Sequence, residues 1–453
     1  MLRSLECTGF KSFVDFHLDF KPGLNILVGP NGSGKTNIIL LLEFLGILVR
    51  SPLIEAIGRV GGAGSIFRRQ LDNKLSDTIT FTVSGSGNNK SYRNEKTTYV
   101  LYKYSASIYL STKDNTIAFM SQHLQMSIYP KTLDMVEYVE LYDNNIDIKT
   151  TFFNDVVTTD IIKMDQTIID WPSHRLGSKD KLSSLQIQDA FVEMCKRSAK
   201  DMYLFNFLEE AVPQMSMLGR DLLSARSFNI TPSQARNVED IGTMPVIEPD
   251  GRGLAATLFN LQTVPDEQGS LFRYRYMYVR QYYENPDAIR RKILEYSRIV
   301  NPNITDIYVV SDPIEAKLAI FIKISYEGGE LQLPFRLVSD GTAKWFTLVT
   351  AIAANSNLFA IEEPENFLHP LMQIEIVKIL REQYERAEQD RWSLISTHSE
   401  TIINQCQPSE IIIVEMKRGR TEARRPSNAE ELLSEIRETG FGLGYYYIAG
   451  AVE

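Results

Sequence analysis

Residues 24 to 37, Leu-Asn-Ile-Leu-Val-Gly-Pro-Asn-Gly-Ser-Gly-Lys-Thr-Asn, constrain this chain more than any other stretch. The apolar run Leu24 to Val28 reads as a buried strand that enters a glycine-rich loop, Gly29 to Lys35, and Thr36 opens an apolar helical stretch. This is the pattern G-x-x-x-x-G-K-[ST] in the strand, loop and helix setting that a phosphate-binding loop requires. Gly29, Gly32 and Gly34 permit left-handed backbone and let amides face an anion with no Cβ in the way. Those amides would form a nest at a helix N-terminus, where the dipole is positive. Lys35 is expected to reach the β and γ phosphates, and Thr36 to offer its hydroxyl to Mg²⁺. Pro30, Asn31 and Ser33 complete the loop, and Asn37 follows in the first helical turn. The alternative is a chance glycine turn, which would not need the flanking strand and helix. The loop specifies a nucleotide phosphate and leaves the base open.

A chain of 453 residues holds one large domain or two to three smaller ones. Its 48 basic residues against 57 acidic ones give a net charge of −9, so no whole-molecule basic field exists to hold nucleic acid. Cys7, Cys195 and Cys406 match no metal-ligand spacing and read as reduced, buried thiols of a cytoplasmic protein. The longest apolar run, Ile38 to Val49, carries Glu43 and is too short for a membrane span. The opening residues carry no secretory signal pattern.

Hydrophobic periodicity places strands at Leu2 to Thr8 and Phe13 to Phe20, then a helix at Ile38 to Arg50. Gly58 to Gly64 reads as a glycine-rich mobile stretch. Thr78 to Val83 and Thr97 to Leu110 read as an antiparallel hairpin around a polar turn. Residues 1 to 110 form the expected N-terminal lobe. Residues 111 to 250 carry no phosphate motif; helical periodicity at Ile187 to Lys200 and Met202 to Ala211 marks an insertion or lid, and Pro232 to Pro249 an extended connector. From 251 to 453 an α/β pattern returns. Helices are expected at Ala255 to Thr263, Ala288 to Ile299, Ser339 to Ala354 and Met372 to Glu388. Strands are expected at Ile307 to Val310, Ala319 to Ser325, Leu331 to Arg336, Leu358 to Ile361, Ser393 to Ser396 and Glu410 to Glu415.

Three stretches in this last third carry chemistry. Leu358 to Glu365 is an apolar strand ending in carboxylates, and ligands of α/β sheets bind at carboxyl ends of strands. Glu362 would hold Mg²⁺ and Glu363 would polarise the attacking water, unless the pair is a solvated acidic turn. Ser393 to His398 ends a second apolar strand; His398 either senses the γ-phosphate or caps the strand. Ser339 N-caps a helix and Gly341 permits close approach, which suits either a plain helix start or a second phosphate-binding N-terminus.

The order of these motifs, Gly-Pro-Asn-Gly-Ser-Gly-Lys-Thr-Asn, Ser-Asp-Gly-Thr, Ile-Glu-Glu-Pro-Glu-Asn-Phe-Leu-His-Pro and Ile-Ser-Thr-His-Ser, resembles the ABC-type ATPase heads of the SMC, RecF and OLD-like group. Gly9 to Phe13 is similar to that group's opening strand. The likeness covers about 1 to 110 and 251 to 453. It implies an α/β P-loop NTPase head with a mixed central sheet, helices and an N-terminal antiparallel β subdomain, here with a largely helical insertion. Gly29 to Thr36 resembles Walker A, Glu362 the Walker B magnesium position, Glu363 the catalytic glutamate, Asn366 to His369 the D-loop and His398 the switch histidine. Ser339 to Thr342 resembles the signature motif that completes a second subunit's ATP site. The resemblance therefore implies ATP and Mg²⁺ as cofactors and a homodimer, or a higher homo-oligomer, bridged by ATP. It also implies that Lys11 approaches the phosphates. This chain departs from the group at Glu362, where aspartate is usual, and at Asp340, where glycine is usual. Gln70, Gln122 and Gln125 all remain candidates for the Q-loop. With no heptad arm between the halves and no nuclease or Toprim module after His398, an effector nuclease would be a separate partner.

Phe272 to Arg280 interleaves arginine with aromatics, and Lys417 to Arg420 with Arg424 and Arg425 is a basic turn; both suit non-specific DNA or RNA contact or ordinary folding roles. The leading expectation is an ATP-hydrolysing head that drives or gates a partner; a setting in bacterial anti-phage defence is implied by the family resemblance alone. The rival is an ATP-sensing scaffold with little turnover that sequesters or releases a partner protein. A GTPase fits poorly, because neither Asn73-Lys74 nor Asn89-Lys90 has the aspartate two residues on that would read guanine.

Overall fold

The structure is a computed structural model that describes residues 1–70, 73–90, 97–130, 145–154, 156–165, 184–209, 212–223, 226–262, 285–354, 359–385 and 391–452. Its contacts divide the chain into two units. The first comprises Met1–Arg226, Arg386–Leu394 and Ser409–Ser427; the second comprises Ser227–Glu385, Ile395–Pro408 and Asn428–Glu453.

The first unit begins with β1 (Leu2–Thr8), β2 (Phe16–Asp19) and β3 (Gly23–Val28). β4 (Thr78–Lys90), β5 (Thr97–Ser111), β6 (Thr116–Pro130), β7 (Ile146–Phe153) and β8 (Val156–Met164) follow. β1, β2 and β4 to β8 form an antiparallel sheet in the order β2-β1-β4-β5-β6-β7-β8. The expected hairpin is present: β4 pairs with β5 through thirteen residues, from Thr78↔Tyr109 to Lys90↔Thr97. Alternation sets its inner face, burying Val100, Tyr102 and Tyr104 along β5. Tyr104 meets Tyr203 and Phe205 edge-on at 5.3 and 5.4 Å, a favoured aromatic geometry.

Among the described residues, the stretch 111–250 is less helical than its sequence suggests. β6, β7 and β8 lie in it and extend the sheet that β4 and β5 begin. Helices Ser184–Ser198 and Met215–Leu223 are present, and among the described residues of Met202 to Ala211 the helical element is a 3₁₀ turn, Leu204–Phe207. Long-range sheet pairing supplies the order that local helical periodicity cannot. Gly58 to Gly64 is ordered into the ends of helices Leu53–Arg59 and Ala63–Ile66. The connector at 232–249 contains a short helix, Pro232–Ala235. Phe272 to Arg280 lies outside the described residues.

The second unit contains β9 (Arg226–Phe228, from Ser227), β10 (Glu239–Asp240), β11 (Ile304–Asp312), β12 (Lys317–Tyr326), β13 (Gly329–Pro334) and β14 (Phe359–Glu362). β15 (Trp392–Ser396) enters it at Ile395. β10, β11 and β13 all pair antiparallel with β12. Helix Asp340–Ala354 is buried on most of its length, and its Trp345 indole N–H donates to the Tyr296 carbonyl at 2.9 Å. In the first unit, β16 (Ile411–Lys417) runs parallel to β3, with Ile411↔Ile26, and forms a hairpin with β17 (Arg420–Arg424). Among the described residues no helix is long and apolar enough to cross a membrane. Among the described residues Cys7, Cys195 and Cys406 form no disulfide, and all three are buried; burial pushes the Cys195 thiol up to about 12 and Cys7 higher still, so neither is a ready thiolate.

Candidate functional site

In the first unit, β3 is buried from Leu24 to Val28 and delivers the chain into the loop. Helix Lys35–Leu48 begins directly after Gly34. Gly32 and Gly34 adopt φ of 77° and 109°. A Cβ on Gly34 would lie 2.1 Å from Thr421 Oγ1, and one on Gly29 would lie 2.1 Å from the Val414 carbonyl oxygen. These glycines are required by neighbours from β16 and β17 as well as by their own backbone. Lys35 is buried, and its ammonium donates to the carbonyls of Gly29 (2.7 Å) and Pro30 (3.1 Å), lying across the mouth of its own loop. Ser33 Oγ is buried with no hydrogen-bond partner among the described residues. Pro30, Asn31, Gly32 and Thr36 are exposed and Asn37 half-buried. An orphaned hydroxyl, a lysine reaching across the loop and an exposed Thr36 fit a phosphate chain with its magnesium.

The loop is braced by residues that sequence reasoning passed over. Thr421 Oγ1 donates to the Ser33 carbonyl at 3.0 Å and lies 2.6 Å from Ser12 Oγ. Ser12 Oγ accepts from Asn37 Nδ2 at 2.9 Å, and Arg68 donates to the Ser12 carbonyl at 3.1 Å. Within Gly9 to Phe13, Ser12 rather than Lys11 makes this bracing contact. Lys11 has a left-handed backbone (φ 47°), and its N–H donates to the Ile66 carbonyl. Of the Q-loop candidates, Gln122 is buried and committed to folding, with its amide on the carbonyls of Ala199 and Met202 and its carbonyl taking the Leu204 N–H. Gln125 donates to Asp147, and the Gln70 N–H to the Lys74 carbonyl. In the basic turn, Lys417 pairs with Glu415 and Glu422, and Arg425 bonds Asn25 and the Asp19 carbonyl. Burial pushes the Arg425 guanidinium down to about 10, so this residue anchors the chain rather than offering a free cation.

In the second unit, the end of β14 gathers the other expected residues. Glu362 Oε1 accepts from Ser227 Oγ at 3.1 Å. Glu363 has a left-handed φ of 43°, uncommon for a residue with a side chain. Its N–H donates to the Ser396 carbonyl at 2.9 Å. Its carbonyl accepts from Lys344 Nζ at 3.1 Å, and its Oε2 accepts from Asn366 Nδ2 at 2.9 Å. His398 Nε2 lies 3.9 Å from Glu363 Oε1, and the His398 N–H donates to Glu365 Oε1 at 2.7 Å. Glu363 and His398 therefore share one small surface with Asn366 and Glu365. His369 instead accepts the Leu371 N–H at 3.3 Å and caps helix Pro370–Glu385.

Ser339 caps helix Asp340–Ala354, accepting the Thr342 N–H at 3.2 Å. A Cβ on Gly341 would lie 2.5 Å from the Phe367 carbonyl oxygen, so this glycine permits close approach of the turn at 363–367. Asp340 forms an ion pair with Arg236, which no local motif announces. Lys344, on the same helix, is only 1% exposed. Burial pushes its ammonium down to about 8, against the pull of the Glu365 and Glu363 carboxylates.

Two family models match the chain. One, described as an AAA domain, covers residues 4–211, running past the region where the sequence resemblance ends. The other, described as an AAA domain, putative AbiEii toxin, type IV TA system, covers residues 263–404. Among curated proteins, the chain is 41% identical over 112 residues to the chromosome partition protein Smc of Lactiplantibacillus plantarum, covering 24% of this chain and 9% of that protein. It is 44% identical over 46 residues to the DNA replication and repair protein RecF of Lactococcus lactis subsp. cremoris, covering 10% of this chain and 13% of that protein. The matched stretches thus span well under two thirds of these relatives. Among solved structures, an SMC head bound to the C-terminal winged-helix domain of ScpA superposes with a TM-score of 0.50 at 12% identity, covering 93% of this chain and 97% of that one. The fold is that of an ABC-type P-loop head.

Proposed function

We propose that this chain, an SMC/RecF-like ABC-type ATPase by its matches, binds magnesium ATP through Gly29–Thr36 and hydrolyses it with Glu363. The observation that carries the reading is the geometry of Glu363: its N–H donates to Ser396, its carbonyl accepts from Lys344 and from the Asn366 N–H, and its Oε2 accepts from the Asn366 side chain, while Oε1 faces His398. A carboxylate fixed in this way suits the polarisation of an attacking water. Lys35 and the loop amides would bind the phosphates, with Thr36 and Glu362 serving the magnesium. The metal would supply charge neutralisation on the phosphate oxygens. Ser339 and Gly341, at the start of a capped helix, would face the nucleotide of a second copy and so make a head dimer bridged by ATP. That dimer would drive a separate effector protein in an anti-phage or toxin–antitoxin setting; of these, the toxin–antitoxin setting accords with the family description matched at residues 263–404.

Glu363→Gln tests the reading. Wild-type protein should release phosphate from ATP, and the variant should lose roughly 10²–10⁴-fold in turnover, the usual range for a general base. The variant should retain ATP and accumulate as a dimer by light scattering. Equal turnover in the two proteins would favour the ATP-sensing scaffold instead.

A further inference from the structure

Lys344 is a buried cation with no part in the mechanism above. It lies one turn into helix Asp340–Ala354, the helix that begins at Ser339, Asp340 and Gly341. Burying an ammonium costs free energy unless it finds charge or hydrogen-bond partners. Its partners all belong to the turn after β14. Nζ donates to the Glu363 carbonyl at 3.1 Å and sits 5.9 Å from the centre of the Phe367 ring. The carboxylates of Glu365 and Glu363 both favour its charged form. Glu365 Oε2 is buried and has no hydrogen-bond partner among the described residues, so a positive charge nearby answers a need of the turn as well as its own.

That turn is strained. Glu363 and Phe367 both have left-handed backbones, with φ of 43° and 68°. Such residues persist only where their surroundings over-determine them. At Glu363 the surroundings are the Ser396 carbonyl, which accepts its N–H, and two donors on its own carbonyl, the Lys344 ammonium and the Asn366 N–H, both at 3.1 Å. Asn366 then fixes the side chain. Lys344 alone among these holds Glu363 from the helix that carries Ser339 and Gly341.

We infer that Lys344 is a positioning residue that ties the helix of Ser339 and Gly341 to the backbone of Glu363, so that the hydrolytic carboxylate follows that helix. This rests on the ATPase reading above and adds its regulation. A ligand that engages Ser339 and Gly341 would set the Glu363 peptide through Lys344, over a path contained within one unit.

The test compares the full wild-type chain, Lys344→Met, Lys344→Arg and Glu363→Gln with magnesium ATP. The readouts are ATP affinity, kcat and thermal midpoint. Lys344→Met should keep ATP affinity within a factor of about three and lose kcat on the order of 100-fold, as a misplacement of about 1 Å does. Lys344→Arg, which retains the charge at a different reach, should fall between. If Lys344→Met fails to fold, Lys344→Arg decides, with reduced kcat at full ATP occupancy expected. Wild-type kcat in a folded Lys344 variant overturns the inference, as does a kcat loss matched by an equal loss of ATP affinity. Wild-type turnover no higher than that of Glu363→Gln overturns the ATPase reading and this inference with it.

Discussion

The Gly29–Thr36 loop and the turn at 363–367 both bend the chain through left-handed backbone, and they do so with opposite chemistry. The first uses glycines, for which φ of 77° and 109° carries no steric penalty. The second forces Glu363 and Phe367 into the same region, holding Glu363 with Ser396, Lys344 and Asn366 and setting the Lys344 ammonium 5.9 Å from the centre of the Phe367 ring. A loop that cradles an anion with its amides needs no side chain at the bend, so glycine serves. A turn that must present a carboxylate cannot use glycine there, so the strain has to be offset by partners. The first arrangement fails when an atom is added; the second fails when a partner is removed.

Gly34→Ala strikes hardest at the first arrangement. Its Cβ would collide with Thr421 Oγ1, the group that braces the Ser33 carbonyl, in addition to the left-handed backbone cost of about 1–3 kcal/mol. ATP binding should be lost in a calorimetric titration. Gly32→Ala has a left-handed φ but nothing within 4 Å of its Cβ, so it should retain measurable binding. Equal losses at the two positions would mean that backbone conformation alone, and not the packing of Thr421, sets the demand for glycine.

This contrast also explains what could be read from the sequence. The glycine loop is a local problem, so one stretch of residues states both strand, bend and helix and the groups that would meet phosphate. Its bracing was not legible, because Ser12 and Thr421 are separated by about four hundred residues, Thr421 belongs to no motif, and in Gly9 to Phe13 it is Lys11 that draws a phosphate reading rather than Ser12. The turn after β14 is a tertiary problem. The carboxylates themselves stand out at the end of an apolar strand, but Ser227, Arg236 and Lys344 reach the same region from two other segments and carry no spacing signal. Lys344 could have been suspected, since a lysine among Ala343, Trp345 and Phe346 interrupts an otherwise apolar helix. The strands β6 to β8 were missed for a related reason: their order comes from pairing across the sheet, and the helical periodicity farther along the stretch dominated its reading.

Arg236 sharpens the comparison from the second side. The sequence places Asp340 where the resembling families have glycine, and a bare carboxylate there would repel a triphosphate. In the structure Arg236 neutralises it. Arg236→Ala should therefore weaken ATP-dependent dimerisation by about 2 kcal/mol, roughly 30-fold, as an uncompensated like charge does. Arg236→Ala with Asp340→Asn should restore most of it, and a sedimentation series in ATP reads both. Failure of the second change to rescue the first would show that Arg236 acts through packing rather than charge.

The smallest expected effect concerns the charge that holds Glu363. The Lys344 ammonium titrates at about 8 in the folded chain and near the ordinary lysine value of 10.5 when unfolded. Below pH 8 both states carry the proton, and the folded state bears the full cost of burying it. Between pH 8 and 10.5 the folded chain releases that proton while the unfolded chain keeps it, so stability from this site rises with pH. Relative to Lys344→Met, the wild-type unfolding free energy read from urea titrations should climb over this window, by somewhat under about 1.4 kcal/mol from pH 8 to pH 9. Parallel pH profiles would mean that the ammonium is stabilised by Glu363 and Glu365 more strongly than its burial opposes, so that it stays charged throughout. The turn would then be held by an ion pair of ordinary pKa instead of a strained, desolvated one.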